Sequence, residues 1–343
     1  MPAARATAIQ RPTQNAQPDT TLHASRYAMY GMQVLSEIPL PVVAVAEMDH
    51  IRSNWVIRCV APAAHTPTPP CTPMDDHRMP DGTPIDRFYR RQGEAWLWDS
   101  QAGMCHLEPA FGRVTITPLP HADLDDLGLL VIGPIAAFML QQAGYPTLHA
   151  SAVVTQYGAC AFMAPSTYGK STLAAGLLHA GGCLLTDDLL PLDVRPNGVY
   201  GMPGAPMMKL WANTAQGTLG IADELPHLSS LTEKRLLSFG QHPYGFQREA
   251  APLRAIYLPR RYTPISEGTI GVHVEPLSPR DAVLALLSQT FRGHYLYPHE
   301  LAVLLRQYGR LASQTRVAVL HLPEGLEHRD AVTQRILSDL AAL

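Results

Sequence analysis

Lysine is almost missing from this chain: only Lys170, Lys209 and Lys234 occur in 343 residues, and arginine carries nearly all of the positive charge. With a net charge of about −3, nothing suggests a surface built for nucleic acid or for an anionic membrane. Cysteine is also sparse. Cys59, Cys71, Cys105, Cys160 and Cys183 are scattered without CxxC spacing, which argues against a disulfide framework or a zinc site and for reduced thiols in the cytosol. Long apolar runs are lacking as well. The longest, 127–140, contains Gly133 and Pro134 and falls short of the ~20 residues a bilayer requires. It reads as a buried helix. The first residues lack the apolar core of a leader peptide, so a cytoplasmic protein with no membrane partner is expected. What is present is ample core material: 46% of residues are apolar, far from a disordered composition.

Residues 1–24 are polar, rich in Thr, Gln, Pro and Ala, and without periodicity, which predicts a disordered tail. From 25 to 122, short β-type runs alternate with turn signals. Segments 42–48, 54–62, 94–100, 104–109 and 113–120 read as strands, and the proline-rich 66–83 reads as an exposed loop. This part is a β-rich module. Segment 123–144 has the length and composition of a helix, with Asp123, Asp125 and Asp126 at its positive end. Two apolar runs, HASAVV and ACAFMAP, then meet at Gln156-Tyr157-Gly158 as a hairpin. A loop, a helix over 171–180 and the buried strand CLLTDD follow. That order belongs to an α/β fold. The C-terminal part predicts helices over 279–291, Pro298–Gln314 and 329–343, with the strand RVAVLHL between the last two.

The loop reads A-P-S-T-Y-G-K-S-T from Ala164 to Thr172, between a strand and a helix. It matches the phosphate-binding pattern GxxxxGK[ST] except that alanine replaces the first glycine. Ala164, Ser166, Thr167, Tyr168, Gly169, Lys170, Ser171 and Thr172 are the residues expected to line a nucleotide. Backbone N–H groups at a helix start converge on phosphate oxygens. Lys170 would bridge the β- and γ-phosphates, and the Ser171 hydroxyl would ligate Mg2+. Downstream, Asp187 and Asp188 end an apolar strand, where ligands bind in α/β sheets. One can hold the metal, while the other can take the proton of an attacking hydroxyl. ATP and Mg2+ are therefore the expected cofactors. Lys209, between two methionines and a Leu-Trp pair, is a further candidate for phosphate or a peptide carboxylate. Lys234-Arg235 sits among polar residues and fits a solvated face, and Arg260-Arg261 flanks a strand.

The trio of L-H-A-S-A-V at 148–153, the loop at 164–172 and L-L-T-D-D at 184–188 resembles the HPr kinase/phosphorylase family. That resemblance implies a P-loop kinase core of the HPr kinase/phosphoenolpyruvate carboxykinase type, over 123–343, behind the β-rich module. It places His149 near the transferred phosphate, Asp187 as general base and Asp188, with Ser171, on the metal side. The Arg- and Gly-containing stretch that follows the acid pair in regulatory HPr kinases has no counterpart here. Segments 28–41, 200–211 and 252–259 are instead similar to HPr-kinase-like proteins of lasso-peptide biosynthesis. The implied function is an ATP- and Mg2+-dependent serine kinase acting on the C-terminal serine of a precursor peptide, its expected partner. A non-catalytic nucleotide-binding module and an HPr-type protein serine kinase/phosphorylase are the alternatives. Self-association into a homo-oligomer is left open.

Overall fold

The computed structural model describes residues 24–45, 54–63, 67–229, 232–240, 242–263 and 271–343. The tail read at 1–24 falls almost wholly outside them, as does the end of the strand read at 42–48, whose described part, 42–45, forms no strand.

The β-rich part is one eight-stranded sheet. From edge to edge it runs Ser25–Met29, Met32–Ser36, Trp55–Cys59, Arg113–Pro118, Gly103–Glu108, Glu94–Asp99, Pro84–Arg91 and Asp75–Arg78. Period-two burial made most of it legible: Ala95 and Leu97, Cys105 and Leu107, Val114 and Ile116 all turn to one face and are buried. Two corrections arise. The stretch read as a loop at 66–83 contains the edge strand Asp75–Arg78, whose polar side chains give no alternation to read. Strands Ser25–Met29, Met32–Ser36 and Pro84–Arg91 were not singled out because their inward positions are interleaved with charged and polar residues.

The apolar run at 127–140 lies in a helical segment, Leu124–Gln142, long and apolar enough by length and composition to span a bilayer but mostly buried inside the protein. Asp123 caps it, its carboxylate accepting from the Asp125 N–H at 2.9 Å. Gly133 leaves helical geometry (φ −109°, ψ −106°), and Pro134, lacking an N–H, is accommodated at that break. The helix covers the first sheet with Leu127, Phe138 and Leu140. Each side chain of this kind, fully buried, contributes about 1.5–3 kcal/mol.

The rest is a mixed ten-stranded sheet with helices on both faces. The central order is Cys183–Thr186, Ala150–Thr155, Gly158–Met163 and Ala251–Tyr262, the last flanked by Arg316–Pro323. Along Gly158–Met163 the faces alternate. Cys160 and Phe162 pack toward helices Lys170–His179 and Arg329–Ala341. Ala159, Ala161 and Met163 pack toward Pro279–Ser288 and Pro298–Gln314. The helix read over 279–291 stops at Ser288. In a separate three-stranded sheet the edge strand Met207–Trp211 pairs with the central strand Thr232–Ser238, and this sheet walls the cleft below.

The two sheet systems share packing. Phe88 stacks on Tyr295 with centroids 3.6 Å apart. The Arg90 guanidinium forks onto Glu300 at 2.6 and 2.9 Å and also reaches the Tyr295 carbonyl at 2.9 Å. At the other end, the hairpin tip Tyr30-Gly31, left-handed at both residues, donates its Tyr30 N–H to the Gly204 carbonyl at 3.3 Å.

Candidate functional site

The strand Gly158–Met163 ends directly in the loop, and the helix starts at Lys170. Thr167 and Gly169 adopt left-handed φ of 71° and 92°, which turns the chain back over the helix start. The first N–H groups of a helix have no intrahelical acceptor and carry its positive dipole end, so this turn has the form of a concavity suited to an anion. Ser166, Thr167 and Tyr168 are exposed at its rim. Lys170 is buried, and its ammonium donates to the carbonyls of Ala164 at 2.7 Å and Pro165 at 3.2 Å. Burial pushes the Lys170 ammonium below its ordinary range, with Asp188 and Asp187 working against that push. Ala164 is also buried and is not among the residues with positive φ, so the leading position demands no glycine for backbone shape. Thr172 faces Thr214 across the cleft, hydroxyl to hydroxyl, at 3.2 Å.

The acid pair sits at the end of Cys183–Thr186, antiparallel to Ala150–Thr155. Its two carboxylates do different things. Asp187 Oδ1 accepts from Ser151 Oγ at 2.5 Å and from Ser171 Oγ at 2.9 Å, while Oδ2 accepts from the Lys209 backbone N–H at 2.8 Å. Asp188, in a left-handed turn at φ 76°, faces elsewhere. Its Oδ1 meets His149 Nε2 at 3.0 Å and its Oδ2 meets the Lys209 ammonium at 3.0 Å. A left-handed aspartate costs on the order of 1 kcal/mol, and the two-sided ion pair holds it there. Desolvation works to raise the Asp188 carboxyl; the Lys209 ammonium and His149 outweigh it and hold the group well below the usual carboxylate range. Lys209 answers in kind: burial would lower its ammonium, and Asp188 raises it above the ordinary value.

The two carboxylates sit the other way round from the placement the resemblance implies. Asp187, not Asp188, lies beside Ser171, because the Lys209 strand and Ser151 draw the first carboxylate toward the loop. The turn at Asp188 then carries the second carboxylate over to His149. His149 is thus brought to the acid pair, its ring edge-on to Phe291 with centroids 5.6 Å apart.

Loop residues 166–172, Asp188 and Lys209 line one side of a cleft of about 660 Å³, and Asp187 and His149 reach it only through their hydrogen bonds to Ser171, Lys209 and Asp188. Trp211 and Lys234 form another wall, the Lys234 ammonium 5.5 Å from the Trp211 ring centroid. Lys234 therefore faces the cleft rather than a plain solvated face. Two contributors were missed by sequence reasoning, and a third, Arg261, was read only as flanking a strand. Ser151 was hidden inside a strand motif whose histidine drew the attention. Thr214 follows Trp211 in a short helix with no recognisable spacing. Arg261 ends the strand Ala251–Tyr262, and a Cβ built on Gly169 would fall 2.5 Å from its guanidinium. Its only sequence signal was a pair of arginines at a strand end.

The donor set fits a magnesium-nucleotide. Among the described residues no three His, Cys, Asp or Glu side chains gather closely enough to hold a metal by themselves. Mg2+ ordinarily takes one or two protein oxygens and completes its shell with phosphate and water, which is what Ser171 with Asp187 offers beside the loop.

No family model matches the chain, and no curated protein matches it. Among solved structures, it is similar to the HPr(Ser) kinase/phosphatase from Coxiella burnetii at 12% identity with a TM-score of 0.30. That overlap covers 56% of this chain and 98% of the other. An overlay this loose leaves the assignment to the site's own geometry.

Proposed function

We propose that the cleft binds ATP with Mg2+ and transfers the terminal phosphoryl group to a serine hydroxyl. One observation carries the reading: adjacent aspartates are split, Asp187 onto the loop serine and Asp188 onto a histidine and a lysine at the opposite side. The metal, when bound, neutralises charge on the transferring phosphoryl group. Ser171 and Asp187 would hold it, with Ser151 and the Lys209 N–H fixing the Asp187 carboxylate. Lys170 and the loop N–H groups supply positive potential to the phosphates. Asp188, ionised at neutral pH, orients the acceptor hydroxyl. In the transfer the serine oxygen bonds to phosphorus, the bridging bond to the β-phosphate breaks, and ADP leaves with that electron pair. The serine proton passes to Asp188. A carboxylate this acidic pulls weakly on a proton, which suits a loose transition state in which proton transfer comes late.

The acceptor class rests on the sequence resemblance to lasso-peptide kinases, which favours the C-terminal serine of a precursor peptide. Labelled ATP offered to arrayed peptides carrying one serine, either C-terminal or internal, and to purified HPr tests both levels. Label on C-terminal serines is expected. Label on HPr would favour the HPr-type alternative, and nucleotide binding without any transfer would sink the kinase reading.

A further inference from the structure

Five cationic side chains line the cleft: Lys170, Lys209, Lys234, Arg261 and Arg329. Four are engaged. Lys170 donates to two loop carbonyls, and Lys209 is paired with Asp188. Lys234 lies over the Trp211 ring. Arg329 donates to the Gly217 carbonyl at 2.6 Å and pairs with Asp330 at 2.9 Å. Arg261 differs, having neither a hydrogen bond nor an ion pair among the described residues. Its strand runs parallel to the one that feeds the loop, and it extends beyond that strand's last paired residue, Phe162 with Tyr257, to Tyr262. The added length carries the guanidinium over Gly169, where even a methyl group would meet it at 2.5 Å. An uncommitted planar fork above a phosphate-binding turn matches two oxygens of one phosphoryl group better than a point charge does.

We infer that Arg261 contacts the terminal phosphoryl group of the bound nucleotide and stabilises the charge that builds on its oxygens during transfer. The inference rests on the nucleotide reading above. It adds a second, opposed source of positive charge to Lys170: one cation below the phosphates in the loop, one above them on the neighbouring strand. Gly169 is required by its left-handed backbone, and its missing side chain leaves the guanidinium room to sit over the turn.

Calorimetric titration with ADP and with a non-hydrolysable β,γ-imido ATP analogue, both with Mg2+, separates this role from a general one. In Arg261→Ala the analogue is expected to bind at least tenfold more weakly than to wild type, with ADP affinity within about twofold. Arg261→Lys should recover little of the loss, since an ammonium cannot fork. Where label transfer is measurable, its rate in Arg261→Ala should fall on the order of 100-fold. Equal weakening of ADP and the analogue, or no weakening of either, would overturn the assignment. Wild-type protein that binds neither nucleotide would instead sink the nucleotide reading itself, and this assignment with it. Arg261 is exposed and outside the core, so unchanged thermal unfolding should accompany each variant.

Discussion

At the scale of single residues, the proposed transfer turns on the division between Asp187 and Asp188. Lys209 is the hinge of that division, because its backbone N–H holds one carboxylate and its ammonium holds the other. In the proposed transfer Asp188 is ionised to orient the hydroxyl, so activity should fall as pH drops through its pKa. Lys209 and His149 hold that pKa low against the opposing effect of burial, placing the acid limb of the pH–rate profile below the ordinary carboxylate range. Replacing Lys209 with methionine keeps the backbone N–H and removes the charge. The acid limb should then move to higher pH, and a pH–rate profile normalised to each enzyme's plateau reads the shift. An unmoved limb would remove Asp188 from the titrating step.

At the scale of elements, the acid turn is supported from beneath by a loop that no motif marks. Gly204 donates its N–H to the Leu185 carbonyl at 2.8 Å, and a Cβ there would fall 2.0 Å from Thr186 Oγ1 and 3.1 Å from its Cα. Backbone this close cannot yield as a flexible side chain would. Gly204→Ala should therefore shift the Asp187-Asp188 turn, reducing label transfer on the order of tenfold or more while ADP affinity changes a few-fold. Assaying both on one preparation checks it; equal losses in both would mean the loop itself had moved. This support explains what could be read from sequence and what could not. The hairpin ending in ACAFMAP, the GKST helix start and the LLTDD strand each carry their own local signal, because buried strands and helix starts restrict residue type. Ser151, Gly204 and Arg261 owe their roles to partners far along the chain. The same holds for the split of the two aspartates, which depends on Lys209 from another sheet. A polar edge strand such as Asp75–Arg78 is likewise visible only by its pairing.

At the scale of the whole molecule, the β-rich sheet and the core are fastened by the Arg90–Glu300 fork, whose guanidinium also lies over the Phe138 and Tyr297 rings at 5.0 and 4.2 Å. Burial would raise the Glu300 carboxyl; Arg90, Gln142 and the Tyr297 N–H bring it down from 4.5 to about 2. Because the folded value lies below the unfolded one, the stabilisation is complete above pH 4.5 and is lost as pH falls toward 2. Discounted for solvent screening of a partly exposed carboxyl, it amounts to on the order of 1–2 kcal/mol. Urea unfolding of Glu300→Gln should show that loss at neutral pH and a flatter acid dependence than wild type between these values; parallel curves would refute the clamp. The Tyr30-Gly31 hairpin tip also braces Gly204, so the first sheet touches the loop beneath the acid turn through a backbone hydrogen bond. In the proposed transfer one aspartate serves the metal and the other the acceptor. Its most direct test compares Asp187→Asn and Asp188→Asn for ADP affinity with and without Mg2+ alongside label transfer from ATP. Asp187→Asn should lose the Mg2+ dependence of binding, whereas Asp188→Asn should keep it and lose transfer; the opposite pattern would contradict the account.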